Sequence, residues 1–292
     1  MGNREIELLQ DRVRRLDDRR LPVVSFDADR RLLHFITVMM TFTHTTMGAE
    51  PGGQAIVAPA EADEIAATCR LLGDIAGAEP ELVTGPVVHR RQHWIGTSRQ
   101  APAPGEIPRP TRSRFVSPAD MPSLPPSTKP FGLGLYTSTV TRQGISMWRT
   151  YLDLFYGSGL YPLPWYTWEL RGPCEKASVL EITTAQEWAV FVEAYAMSAR
   201  GMIYPDWRKV AAEFDGVHLT LRAIVAMQGF NFPTARGTTA AGYFDVESTL
   251  WLHWHFTGAH LSEITNSNSR APQRPSVSAE QLPRPPPHSP DC

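Results

Sequence analysis

An α+β fold is what this sequence predicts, on three observations. Helical and strand-like patterns are interleaved over residues 131–261 without the strict strand–helix alternation of a parallel sheet. Two stretches carry apolar side chains at helical spacing. Ala185 to Met197 turns Trp188, Phe191, Val192 and Tyr195 to one side, and Asp206 to Phe214 does the same with Trp207, Val210, Ala211 and Phe214. Gly242 to Phe256 is instead aromatic and β-branched, the composition of a long strand or a pair of strands.

Taken in order, the chain opens with Ile6, Leu9, Val13 and Leu16 at spacings of three and four among charges. This is an amphipathic helix that must bury its stripe, against its own domain or in self-association. Val23 to Phe42 reads as β-like or buried. Residues 59–76 form a second helix, with Pro59 near its start and acids in the first turn. Its inward stripe is Ile65, Cys69 and Leu72 with Ile75 or Ala76, so Cys69 reads as core. These elements make residues 1–84 a helical or mixed N-terminal extension. From Gln100 to Pro130 there are nine prolines in 31 residues, a density no helix or central strand tolerates. That segment is a long loop, disordered or draped over a folded body. Gly144 to Leu152 reads as a short helix, Val179 to Ile182 as a strand, and Val217 to Leu221 as another after the Asp215-Gly216 turn. The main domain runs over residues 85–262. The tail from about 263 is a disordered Pro-rich segment, with seven prolines after Asn266. Its Arg-Pro-Pro-Pro run suits polyproline II.

Composition bounds the function. With 28 basic and 30 acidic residues the net charge is −2, which supplies no bulk attraction to nucleic acid or membrane. Three scattered cysteines, Cys69, Cys174 and Cys292, indicate neither a disulfide framework nor a cysteine metal site. The longest apolar run, Leu32 to Phe42, is too short to span a bilayer, which needs about 20 residues. The N-terminus lacks a signal-peptide pattern. The sequence therefore reads as a soluble, cytoplasmic protein.

Chemistry concentrates in two segments. In Pro130-Phe-Gly-Leu-Gly-Leu-Tyr-Thr-Ser-Thr139, Gly132 and Gly134 permit backbone conformations and close approaches that a Cβ would block. Tyr136 offers a flat ring, and Thr137, Ser138 and Thr139 offer hydroxyls. Downstream, Tyr243-Phe-Asp-Val-Glu-Ser-Thr249 supplies acidic groups. Asp245 and Glu247 share a face if this is a strand, either toward a site or toward solvent.

Phe131-Gly-Leu-Gly-Leu-Tyr136 with its trailing hydroxyls, followed by a helix, resembles a motif of bacterial ADP-ribosyltransferase-fold families. Trp207 through Asp215-Gly-Val-His-Leu219 and the 243–249 segment are similar to the second half of such domains. The resemblance covers roughly residues 110–256. It implies a split mixed sheet with flanking helices, and NAD as the substrate whose ADP-ribose passes to an unidentified acceptor or to water. Glu247 would stabilise the oxocarbenium-like state, and Asp245 would orient the acceptor. Tyr136 would stack on nicotinamide, with Ser138 or Thr139 positioning ribose or glutamate and Gly134 within the cofactor site. For the adenosine side the resemblance offers Arg114, with Arg112 beside it and His93 as competitor; Arg114 is preferred.

Two other chemistries remain open. His253 and His255, one residue apart on a strand, can share a metal, with His218 or His260 as further donors. The fold can also serve as a binding module without catalysis.

Overall fold

The computed structural model describes residues 73, 75–97, 107–142, 144–154, 161–227, 231–241, 244 and 246–266. The expected helix at the N-terminus, Cys69, the 23–42 segment, Asp245 and the Pro-rich tail beyond Asn266 lie outside these residues, whereas residues 263–265, expected to open that tail, belong to the last strand, Gly258–Thr265.

The described chain is mixed α and β, with two mixed sheets and few helices, as an α+β class requires. Its elements are α1 (Pro80–Thr84), β1 (Gln92–Thr97), β2 (Leu135–Thr139), α2 (Met147–Leu154), β3 (Trp165–Arg171), β4 (Val179–Ile182), α3 (Ala185–Ala194) and β5 (Ala196–Ala199). They continue with β6 (Met202–Pro205), α4 (Trp207–Glu213), β7 (Gly216–Leu219), α5 (Leu221–Met227), β8 (Asn231–Thr234), β9 (Gly237–Ala240), β10 (Ser248–Trp251) and β11 (Gly258–Thr265).

A seven-stranded sheet runs β11-β3-β1-β2-β10-β7-β4, and a four-stranded sheet runs β5-β6-β9-β8. In the larger sheet only β4 and β7 pair in parallel. A parallel pair needs a long crossover, and α3, β5, β6 and α4 lie within it.

Local chemistry explains the elements. Thr184 accepts from the Glu187 N–H at 3.1 Å, and Glu187 reaches back to the Thr184 N–H at 3.0 Å, a capping box that starts α3. Asp206 caps α4 by accepting from the Arg208 N–H at 3.3 Å. The expected 185–197 helix stops at Ala194, because Ala196–Ala199 pairs with Met202–Pro205 instead. That hairpin turns through Arg200 and Gly201, both at positive φ. Of the expected strand or strands over 242–256, Ser248–Trp251 is a strand and the chain beyond it is irregular until β11, while residues 242, 243 and 245 lie outside the described residues.

Residues opposite each other across a ladder share a face, and successive residues alternate. On one face of the large sheet, Ile95, Trp165, Ile182, Val217, Leu219 and Leu250 join α2, α3, α4 and α5 in the main apolar core. Trp188, Trp207 and Phe244 are buried there almost completely. The other face carries a smaller aromatic cluster of Leu135, Tyr166, Trp168, Leu170, Trp251 and Phe256. Of the proline-rich loop, residues 107–130 hold two 3-10 turns and drape over the domain. They are pinned where Trp168 Nε1 donates to Pro108 O (2.8 Å), Ser117 Oγ to Leu252 O (2.7 Å) and Trp207 Nε1 to Ser127 O (3.0 Å).

Candidate functional site

Strand register brings the two sequence segments together. Thr249 pairs with Thr137 and Leu250 with Tyr136, so the residue just before β10 comes level with the end of β2. That residue is Glu247. It is fully buried, which removes the solvent-facing alternative for this residue.

Its carboxylate accepts four hydrogen bonds. Oε1 takes the Thr139 hydroxyl (2.7 Å) and His218 Nε2 (2.9 Å), while Oε2 takes the Thr139 N–H (2.9 Å) and the Ser138 hydroxyl (3.1 Å). Two further bonds orient these hydroxyls. Trp148 N–H, in the first turn of α2, donates to Ser138 Oγ at 3.3 Å, and Gln92 Nε2 donates to Thr139 Oγ1 at 3.0 Å. Each hydroxyl, receiving one proton, turns its own toward Glu247. The Gln92 amide is fixed in turn, since its Oε1 accepts from Thr137 Oγ1, which receives Trp251 Nε1–H at 2.8 Å. Bonds to a charged acceptor contribute roughly 1.5–3 kcal/mol each. Four of them offset the several kcal/mol that burying a carboxylate costs.

The row continues across β7 to β4. His218 pairs with Thr249 on one side and Glu181 on the other. Its Nδ1 lies 2.5 Å from Glu181 Oε2, and Glu181 Oε1 accepts from the Val87 N–H at 2.7 Å. Burial alone would lower the His218 pKa, but the bonds to Glu181 and Glu247 outweigh it and raise it to about 9. Gln92, Thr137, Thr139, Thr249, His218 and Glu181 thus form a polar seam on one face of five strands. The chain before β1 covers it. Val87 binds Glu181, Gln92 Nε2 also donates to Val88 O at 3.1 Å, and His89 lies 6.1 Å from the Trp251 ring.

Tyr136 and Ser138 lie on the opposite face of β2, with His93 of β1 directly across from Ser138. Neighbouring strands lie about 4.8 Å apart, so these side chains adjoin. Burial pushes the His93 pKa down, against the pull of Glu169 and Glu263. Burial also raises the Tyr136 phenol. Its ring lies 4.6 Å from Lys129 Nζ, which also approaches Phe244 at 5.2 Å. Gly134 has φ +67°, and its close approach is to its own chain: a Cβ there would meet Trp251 O at 2.5 Å.

The other candidates fall elsewhere. Arg112 and Arg114 sit on an exposed 3-10 turn. The chain following it meets β2 at the Gly134 end, where Gly134 N–H donates to Val116 O, about four residues or 13 Å from Ser138. His253 and His255 lie past the end of β10 and take separate partners, Ala211 O at 2.6 Å and Asp215 Oδ1 at 2.9 Å. His260 stands opposite Glu169 in β11. Among the described residues, no group of three or more His, Cys, Asp or Glu is placed to hold a metal ion. Nor is any helix there long and apolar enough to cross a membrane.

Sequence reasoning passed over Glu181 and Gln92 and saw His218 only as a metal donor. A signal existed: Val179-Leu-Glu-Ile182 and Gly216-Val-His-Leu219 each hold one ionisable residue inside a short apolar strand. Such a residue must find a partner when the strand is buried.

No protein-family model matches the chain, and neither a curated protein nor a solved structure matches it significantly.

Proposed function

We propose that the chain is an NAD-consuming enzyme of the ADP-ribosyltransferase type, passing ADP-ribose to an acceptor or to water. One observation carries the reading. Glu247 receives the hydroxyls of Ser138 and Thr139, residues of the other motif more than a hundred positions earlier. Tyr136, Ser138 and His93 then stand side by side on one sheet face. In this reading Tyr136 stacks on nicotinamide, and His93 takes the adenosine-side role in place of Arg114. The bond between ribose C1′ and the nicotinamide nitrogen breaks, and its electron pair neutralises the pyridinium. The lone pair of the acceptor or water closes on C1′ and that group loses a proton. Glu247, an anion beside the ribose, stabilises the positive charge that develops. A ribose hydroxyl reaches it by replacing the Ser138 hydroxyl on Oε2, the longest of the four bonds.

A second reading has its own support. Glu247 is fully buried and all four of its acceptor positions are occupied. Those are the properties of a polar seam that holds five strands in register, in a binding module without chemistry.

Incubating the purified full chain with NAD labelled in the adenylate and nicotinamide portions separates the two. The transferase reading expects nicotinamide release, falling on the order of 10²–10³-fold in Glu247→Gln. Absence of release by the wild type, or an unchanged rate in a folded Glu247→Gln protein, favours the structural seam.

A further inference from the structure

His218 and Glu181 have no part in the chemistry just proposed, yet with Glu247 they form an ionic group built around a fully buried ring. The His218 side chain is fully buried, and each ring nitrogen faces a carboxylate oxygen, at 2.5 Å and 2.9 Å. A neutral imidazole has one N–H, so its other nitrogen would set a lone pair against an oxygen. Only the imidazolium donates to both. The other titratable group facing the ring is His89, on the covering segment, whose own protonation His218 opposes. The seam thus sets an imidazolium between two carboxyl groups, Glu181 on one side and Glu247 on the other.

The two ends of this row differ. Glu181 keeps 27 % of its side chain exposed and is tied to the covering chain at Val87, whereas Glu247 is sealed. The two oxygens of Glu247 differ as well. Oε1 is clamped by His218 and Thr139 from within the seam, and Oε2 meets Ser138, whose side chain leaves the face that bears Tyr136 and His93.

We propose that His218 is the positioning residue of Glu247: as an imidazolium anchored by Glu181, it holds Oε1 so that Oε2 is the oxygen presented to the substrate. The catalytic half of this statement rests on the transferase reading; the charge state of the ring does not. Glu181 acts through His218 and touches no reacting atom.

The test has two arms on the full-length protein. In the first, imidazole ¹⁵N spectra follow His218 against pH. Both nitrogens are expected to be protonated at pH 7.5, with the titration midpoint falling by about one to three pH units in Glu181→Gln, as removing an adjacent opposite charge dictates. A single neutral tautomer at pH 7.5, or an unmoved midpoint in Glu181→Gln, overturns the proposal.

In the second arm, NAD cleavage is followed across pH. Glu181→Gln, at a partly exposed position that tolerates an isostere, is expected to move the alkaline limb of kcat/KM downward. His218→Asn is expected to lower kcat on the order of 10²-fold with KM for NAD nearly constant, the signature of a misplaced group. A purely structural role would lower the folded fraction and leave the pH limb in place, which also overturns the proposal. If the wild type releases no nicotinamide, the transferase reading fails by itself. The spectra then decide alone whether His218 is the charged clamp on Glu247.

Discussion

Gln92 shows how one uncharged side chain can set the geometry around a charged one. It is fully buried, and its two amide ends are not interchangeable. The oxygen accepts from Thr137, and the nitrogen serves both Thr139 and Val88. Through Thr139 it directs a proton at Glu247, and through Thr137 it draws in the Trp251 indole. Gln92→Ala removes an acceptor and a donor from a dry site at once. A destabilisation of about 1–3 kcal/mol is expected. It is to be read as a lower urea midpoint at unchanged slope. A midpoint equal to that of the wild type would show that water replaces the amide. The sequence hid this residue because a glutamine before a histidine and a tryptophan, in Gln92-His-Trp94, has no pattern of its own.

At the scale of elements, β2 is the strand on which the site depends, and Gly134 lets it form. The residue takes a left-handed φ, and the carbonyl of Trp251 on β10 fills the space where a Cβ would stand. Gly132, with φ +77°, has nothing within 4 Å of that position. Both glycines mark a turn, but only Gly134 also closes the sheet. Gly132→Ala is expected to cost the left-handed strain alone, about 1–2 kcal/mol. Gly134→Ala adds a backbone clash, and the predicted drop in thermal midpoint is at least twice as large. Equal midpoints would refute the distinction. The paired glycines were visible in the sequence, but not that one of them serves strand β10 rather than a ligand. Helix starts were equally visible: Thr184 and Asp206 cap where the apolar stripes begin. The end of α3 was not, since Tyr195 continues the helical stripe and only the β5–β6 pairing stops it.

For the molecule as a whole, the buried seam couples stability to pH. The His218 pKa in the fold, about 9, lies above its ordinary value of 6.5, so the folded state holds a proton that the unfolded state loses between these values. Its contribution is fully present below about pH 6.5 and disappears as pH rises through about 9. Urea midpoints are expected to decline between those limits in the wild type, and to flatten over the same window in His218→Gln. Identical slopes in the two proteins would place the titration elsewhere. At the acid end the sign reverses. Asp215 is held low: burial opposes the shift, but the Ser178 N–H and His255 outweigh it. Its contribution is lost as pH falls through that lowered value.

By itself, the sequence determined the α+β class, the loop character of the proline-dense stretch and the two segments that stand out for their hydroxyl and acidic side chains. Periodicity, turn residues and proline density are local properties, and they can be read one window at a time. Tertiary structure alone decided that Glu247 is sealed rather than solvent-facing, that Ser138 and Thr139 are its donors, and that His93 rather than Arg114 stands beside Ser138. It also decided that His218 and Glu181 extend the site across two more strands. Each of these depends on ladder register between strands far apart in the chain, where a shift of one residue would carry every side chain to the opposite face.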